Sequence, residues 1–430
     1  MDKTVLPRSL CGTLPILPSK SASHRAVMMA AMANGETDIA PLQLSRDIQA
    51  TLSCAQALGL VRGVSTAREG DSPFVRVRIL GGAADDKRTL RTLDCGESGS
   101  TLRFFIPLAL DGRGPVRFVG HGRLMQRPLD LYERLFSPLG IAWQADGDEL
   151  TVEGALRSGT FALRGDVSSQ FITGLLFALP RLDGESVITL TTPLESRAYV
   201  ELTRHMQAAF GIVSHWEDGG QTLRIPGGQS PVSPGALAVE GDWSHAAFYL
   251  VAGAIGSAGP LTLTGLDPRS AQGDRAIVPI LRNMGADIAE KSGRFTVRPS
   301  RLRGIGVDAS QAPDLVPALA VAMAAAEGES RITGAARLRI KESDRLSAMC
   351  RALRACGAQV SELADGLVIR GGQQLHAAQI DGCNDHRIVM AMAVCSAICD
   401  GELTISDTEA TAKSAPAFWA EFASLGGMTR

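Results

Sequence analysis

Along the chain, runs with apolar residues three and four apart alternate with short segments in which apolar and polar residues take turns. The first pattern predicts helices and the second half-buried strands. Six helix-like runs end in an apolar residue, a glycine and then a fresh strand: Leu58-Gly59, Leu139-Gly140, Phe210-Gly211, Met284-Gly285, Cys356-Gly357 and Leu425-Gly426. The spacing is about 70–80 residues, regular enough to mark an internal repeat. Glycine just past a helix suits the left-handed position that stops it. In phase with these stops, apolar helices are predicted to begin near Ser21, Ser98, Ser168, Ser244, Pro313 and Asp385. The pattern reads as one unit copied six times, each with two helices and several short strands.

The first helix of each unit is apolar nearly all round, as in 26–32, 171–177 and 388–394, and such helices are buried. The second is amphipathic: in 344–356, Leu346, Met349, Cys350 and Leu353 share one face. The clearest strands are 75–79 and 293–298. The expected class is α/β, with three units per domain, helices inside and sheets outside. Parallel buried helices would gather their N-termini at one end. Those ends carry unpaired N–H groups and partial positive charge, which suits polyanionic small molecules.

Composition narrows this. A chain of 430 residues suggests two or three domains. The Pro, Gly and Ser cluster at 226–235 is the best internal break. A net charge of −2 and 5% aromatic residues argue against a nucleic-acid or anionic-membrane partner. No signal peptide is expected from 1–10, and the apolar run 388–399 is shorter than the roughly 20 residues that span a bilayer. The 8 cysteines show no CxxC pair and no metal-site spacing, so they read as small core residues in a reduced, cytoplasmic setting.

The unusual polar residues sit at the predicted helix starts. Lys20, Ser21, Ser23, His24 and Arg25 open the first buried helix and read as an anion site, with His24 as a packing residue. In 94–103, Gly99 lets a ligand approach the backbone; Ser100 stands where a serine-hydrolase elbow needs glycine, so that chemistry is set aside. Ser168, Ser169 and Gln170 place three polar side chains where a cap needs one. Ser196 adds a hydroxyl near another helix start. The runs 339–345 and 383–387 bring Lys341, Glu342, Arg345 and Arg387 beside apolar helices, with Asp344 and Asp385 as positioning acids. Asp314 is either a cap or, in a closed site, a candidate base. Lys413 is an isolated cation.

Together the motifs around Lys20, Gly99, Arg127, Ser168, Asp314, Lys341 and Arg387 resemble, in order and spacing, the 5-enolpyruvylshikimate-3-phosphate synthase family of enolpyruvyl transferases. The resemblance covers essentially the whole chain. It implies a two-domain inside-out α/β barrel of six βαβαββ-type repeats, three per domain. The N-terminal domain would be 19–235, and 1–18 would join 236–430, with the active site in the interdomain cleft. It also implies transfer of the enolpyruvyl group of phosphoenolpyruvate to the 5-hydroxyl of shikimate 3-phosphate, with no metal or organic cofactor and a monomeric enzyme.

By the same resemblance, Lys20, Ser21, Arg25, Ser168, Ser169, Gln170, Ser196, Asp314 and Lys341 line the shikimate 3-phosphate site. Lys20, Gly99, Arg127, Gln170, Arg345, Arg387 and Lys413 bind phosphoenolpyruvate, with Arg345 and Arg387 on its carboxylate. Asp314, Glu342 and Lys20 are the expected catalytic groups, with Lys341 as another proton carrier. Glu97 stands where many members carry asparagine, Arg337 replaces another asparagine, and Ala415 replaces an aromatic residue. The sister family that uses UDP-N-acetylglucosamine carries Lys-Asn in the first turn and a loop cysteine. Lys20-Ser21 and the cysteine-free loop 122–128 argue against it.

Overall fold

The computed structural model describes residues 1–68, 74–82 and 91–430. Its α-helices, in chain order, are α1 (Lys20–Met32), α2 (Arg46–Ala57), α3 (Gly99–Ala109), α4 (Asp130–Phe136), α5 (Ser169–Ala178) and α6 (Arg197–Ala209). They continue with α7 (Trp243–Ile255), α8 (Ile277–Asn283), α9 (Val316–Ala325), α10 (Arg345–Ala355), α11 (His386–Cys395) and α12 (Phe418–Ser424). All six glycines of the repeated stop signal have positive φ, between 73° and 102°. Local chemistry therefore ends these elements where the sequence pattern places the ends.

The helix starts are set by side chains that accept from exposed backbone N–H groups. Ser98 caps α3, Ser168 caps α5 and Asp385 caps α11. The helix expected near Ser244 begins at Trp243 and is capped by Asp242, whereas Pro313 opens a 3-10 turn over Pro313–Leu315 before α9 begins.

The described strands form six sheets, and five share one order. In one example, Thr160–Leu163 runs parallel to Ser186–Leu190, which runs antiparallel to Thr222–Ile225, itself antiparallel to His215–Glu217. The sixth sheet has three strands: Ala378–Ile380 lies parallel to Leu403–Ile405, and the N-terminal strand Lys3–Val5 takes the antiparallel third place. A second N-terminal strand, Gly12–Pro15, pairs parallel with Leu261–Thr264.

The chain divides into two compact units, Lys20–Val239 and Met1–Ser19 with Glu240–Arg430. The Pro- and Gly-rich segment at 226–235 does not end the first unit. Ala236–Leu237 pairs with Asp38–Ile39, which keeps the chain with that unit as far as Val239.

In Lys20–Val239, α1, α3 and α5 are buried along nearly their whole length. In the other unit, α7, α9 and α11 pack on one another and are equally enclosed. Their Leu, Val, Met and Phe side chains each contribute about 1.5–3 kcal/mol through removal from water.

One close approach shapes the first unit. A Cβ on Gly174 in α5 would lie 2.1 Å from Tyr132 Oη and 2.3 Å from the Arg103 carbonyl oxygen of α3. That hydroxyl lies 2.9 Å from both the Arg103 and Phe171 carbonyl oxygens and donates to them. Gly174→Ala is therefore expected to destabilise the protein by about 1–3 kcal/mol, the usual range for overpacking. Thermal or urea unfolding of the variant, compared with Gly159→Ala, where nothing lies within 4 Å and φ is not positive, measures this. Equal losses in the two would show that α3 and α5 tolerate the extra methyl.

Candidate functional site

In the Lys20–Val239 unit, polar side chains converge where helices start. Lys20, the first residue of α1, places Nζ 3.1 Å from Asp47 Oδ2 in the first turn of α2. One turn on, Arg25 is buried, and its donors reach Thr203 Oγ1 (2.8 Å), Ser21 O (2.7 Å), Tyr199 O (2.9 Å) and Thr173 Oγ1 (3.4 Å). Each of these acceptors is neutral. Burial lowers the Arg25 pKa to about 10, as expected for a desolvated cation. Such a group favours a nearby anion.

His24 is no acid–base candidate. It is buried, its Nδ1 lies 2.7 Å from Thr51 Oγ1, and it packs edge-on against Phe104. Burial, reinforced by Lys20 and Arg25, holds its pKa well below the usual histidine range, so the ring stays neutral.

A second cluster joins the starts of α3 and α5. A Cβ on Gly99 would lie 2.9 Å from Arg127 Nη1, 3.2 Å from Arg103 Nη1 and 3.5 Å from Gln170 Oε1. A side chain there would have to displace the Arg127 guanidinium; the Gly99 φ is ordinary. Gln170 accepts from Arg103 Nη1 at 2.6 Å and donates to Ser100 Oγ at 3.0 Å. Ser168 is the α5 cap, and Ser169 is buried beside it. Ser196 starts α6 in the left-handed region at φ 52°, which is costly for a serine and frequent at ligand sites.

In the other unit the charges form one web. Arg345 is buried and donates to three carboxylates: Asp385 Oδ2 (2.8 Å), Asp314 Oδ1 (3.0 Å) and Glu342 Oε2 (2.7 Å). Asp385 also accepts from Ser343 Oγ at 2.9 Å and from the Arg387 backbone N–H at 3.0 Å. Arg387 Nη2 reaches Asp314 Oδ2 at 3.1 Å, and its Nη1 reaches the Asp314 carbonyl at 3.2 Å. Lys413 is less isolated than its sequence suggests: it is buried, with Nζ 2.7 Å from Asn384 O. Asp344 caps α10 and pairs with Arg339, so Asp385 is the acid that positions Arg345.

Electrostatics separates the acids. Burial alone would raise the Asp314 pKa, but Arg387, Lys341 and Arg345 hold it well below the usual carboxylate range. Burial, followed by the nearby charge of Asp314, pushes Asp274 up to about 6; Ser244 donates to it. Lys341 is pushed down to about 8 by burial, with Arg345 and Arg337 adding to the shift against Asp314 and Glu342. The web thus holds one carboxylate firmly ionised, one poised near neutrality and one lysine able to exchange its proton.

Of the residues expected from sequence, Gly99, Arg127 and Gln170 meet at one place, and so do Asp314, Lys341, Glu342, Arg345 and Arg387. Four participants were not singled out: Asp47, Arg103, Ser343 and Asp274. Arg103 lies four residues after Gly99, on the same helix face, and that spacing was a usable signal. Asp47 and Asp274 depend on long-range packing and had none.

A model of the EPSP synthase (3-phosphoshikimate 1-carboxyvinyltransferase) family matches residues 6–422. The 3-phosphoshikimate 1-carboxyvinyltransferase of Clostridium novyi (strain NT) is 42% identical over 429 residues, covering 99% of this chain and 97% of that one. The protein of the same name from Clostridium perfringens (strain 13 / Type A) is 40% identical over 434 residues, covering 100% of both. Among solved structures, EPSP synthase from Acinetobacter baumannii matches with a TM-score of 0.78 at 26% identity, covering 100% of both chains. The enolpyruvyl transferase NikO from Streptomyces tendae matches with a TM-score of 0.78 at 16% identity, over 100% of this chain and 98% of that one, a likeness of fold alone. With a family match over nearly its whole length and relatives at about 40% identity, the chain belongs to the EPSP synthase family of enolpyruvyl transferases.

Proposed function

We propose that this chain transfers the enolpyruvyl group of phosphoenolpyruvate to the 5-hydroxyl of shikimate 3-phosphate, releasing phosphate by addition and elimination. The observation that carries the reading is the pair of guanidinium groups, Arg345 and Arg387, converging on the one carboxylate of Asp314. Two planar forks aimed at one carboxylate suit a small substrate acid. In this reading the six sheets are copies of one βαβαββ-type unit, three per domain, in an inside-out barrel. The enzyme acts as a cytoplasmic monomer.

The phosphoenolpyruvate carboxylate is assigned to Arg345 and Arg387, and its phosphate to Lys20, Arg127 and Lys413, with Gly99 and Gln170 beside it. Shikimate 3-phosphate is assigned to Lys20, Ser21, Arg25, Ser168, Ser169, Gln170, Ser196, Asp314 and Lys341. The desolvated charge of Arg25, with its neutral acceptors, supports an anion there.

The acid–base step follows from competition for the arginines. Held by both, Asp314 is a weak base. When the substrate carboxylate takes over those donors, the Asp314 pKa rises and it accepts the proton of the 5-hydroxyl. Glu342, with Lys20 or Lys341, delivers a proton to C3 of the enol and removes one as phosphate leaves. Clustered cations stabilise the developing phosphate charge.

The direct test is phosphate release from phosphoenolpyruvate by the purified protein, with shikimate 3-phosphate and, separately, UDP-N-acetylglucosamine as acceptor. Release that depends on shikimate 3-phosphate is expected; release only with the sugar nucleotide would overturn the acceptor assignment. Asp314→Asn and Arg387→Ala should each lower kcat/KM by about 10²-fold or more with the circular dichroism spectrum retained. Normal turnover in either folded variant would remove it from the site.

Lys341 gives a pH prediction. With its pKa depressed to about 8, its charge is lost as pH rises through that value, so kcat/KM should fall above pH 8. This is no unfolding effect of Lys341. Between about pH 8 and 10.5 the unfolded state binds more protons at this site, so its contribution to stability rises with pH. Lys341→Arg, always charged, should lose the alkaline limb; an unchanged profile would exclude Lys341 as its source.

A further inference from the structure

The last helix is held by one carboxylate that is almost enclosed. Glu421 of α12 keeps 11% of its side chain exposed, and its Oε2 accepts from His245 Nε2 at 2.6 Å and from Tyr249 Oη at 2.9 Å. His245 and Tyr249 lie four residues apart on α7, so one face of a buried helix offers both donors side by side. Among the described residues, His245 Nδ1 has no hydrogen-bond partner, which leaves Glu421 as the polar attachment of that ring. Burial alone would raise the Glu421 pKa, but His245 and Tyr249 hold it below the usual carboxylate range, so it accepts as an anion.

A helix this short needs such an anchor. α12 has 7 residues, below the roughly 12–15 at which an isolated helix is even marginal in water. Its buried Phe418 and Phe422 pack together, and the Phe418 ring centroid lies 6.2 Å from that of Tyr249 and 6.4 Å from that of His245. Apolar burial is non-directional, so it holds α12 against the core without fixing how the helix is turned. Two donors on a rigid neighbour, meeting at one carboxylate oxygen, set both rotation and register.

What α12 holds in turn is the segment that carries Lys413. Trp419 Nε1 donates to the Thr408 carbonyl at 3.2 Å, and Phe418 N–H donates to the Ala415 carbonyl at 3.0 Å. Ala415 N–H reaches back to the Thr411 carbonyl at 2.7 Å, and Thr411 Oγ1 donates to the Thr408 carbonyl at 3.0 Å. The 3-10 turn Thr408–Lys413 is thus gripped from α12 near both of its ends. On its other side, Asn384 N–H donates to Asp407 Oδ2 at 3.0 Å, and Lys413 Nζ donates to the Asn384 carbonyl at 2.7 Å.

We propose that Glu421 is a positioning residue for Lys413. His245 and Tyr249 fix Glu421, Glu421 fixes α12, and α12 sets the turn from which Lys413 Nζ reaches out. This rests on the assignment of Lys413 to the phosphate of phosphoenolpyruvate. Glu421 works only through that lysine and moves no proton in the reaction. Its loss therefore weakens the hold on phosphoenolpyruvate and spares shikimate 3-phosphate, whose assigned residues do not include Lys413.

The test measures KM for each substrate in Glu421→Ala, Glu421→Gln, Tyr249→Phe and Lys413→Ala, and in Glu421→Ala combined with Lys413→Ala. In Glu421→Ala, KM for phosphoenolpyruvate should rise about tenfold while that for shikimate 3-phosphate stays within about twofold. Glu421→Gln, which keeps an accepting oxygen, should restore most of the loss. Tyr249→Phe removes one donor at nearly constant volume, and should show a smaller rise in the same direction even if Glu421→Ala fails to fold. Adding Glu421→Ala to Lys413→Ala should change KM for phosphoenolpyruvate no further. Additive losses in that double variant, equal losses for both substrates, or an unchanged KM in folded Glu421→Ala or Tyr249→Phe would overturn the proposal. A normal KM for phosphoenolpyruvate in Lys413→Ala would instead remove the Lys413 assignment and this proposal with it.

Discussion

Arg345 is a fully buried guanidinium, and the charged half of the candidate site is organised around it. Leaving such a cation without partners would cost several kcal/mol, so the fold surrounds it with Asp314, Glu342 and Asp385. Each acid has a second duty. Asp385 caps α11 through the Arg387 N–H, Asp314 holds the Arg387 side chain, and Glu342 lies three residues before Arg345 in the approach to α10. Removing one member of such a buried set typically costs about 3–5 kcal/mol, because the others are left unpaired. The web therefore fixes two helix starts at once and sets the acidity of Asp314.

The Lys20–Val239 unit solves a similar problem in a different way. Arg25 is as deeply buried as Arg345, yet its hydrogen bonds go to hydroxyl and carbonyl oxygens. These satisfy its donors while leaving its charge available. Gly99 adds space where three polar groups crowd the start of α3. One unit thus holds Arg345 and Arg387 against acids, and the other holds Arg25 against neutral acceptors. That division suits a reaction between two anionic substrates.

Strand order explains how one pattern reaches so far along the chain. A parallel pair followed by two antiparallel strands recurs in five sheets, and the N-terminal strand Lys3–Val5 supplies the antiparallel place in the sixth. The positive-φ glycine after each amphipathic helix returns the chain to the sheet. The apolar helices then lie buried, and polar and charged side chains gather at their starts.

Much of this was legible from local chemistry. The six apolar-glycine stops, the caps Ser98, Ser168 and Asp385, and the strands at 75–79 and 293–298 follow from turn conformation, capping and residue alternation. These depend on neighbours in the chain, so the sequence by itself determined them. It also placed the site cations in short motifs at helix starts. Only the tertiary structure decided their partners: Lys20 meets Asp47, Arg345 meets Asp385, and Lys413 meets the Asn384 carbonyl. It likewise decided that His24 is a neutral packing residue. Burial and long-range charge set these outcomes, and both depend on which distant segments pack together.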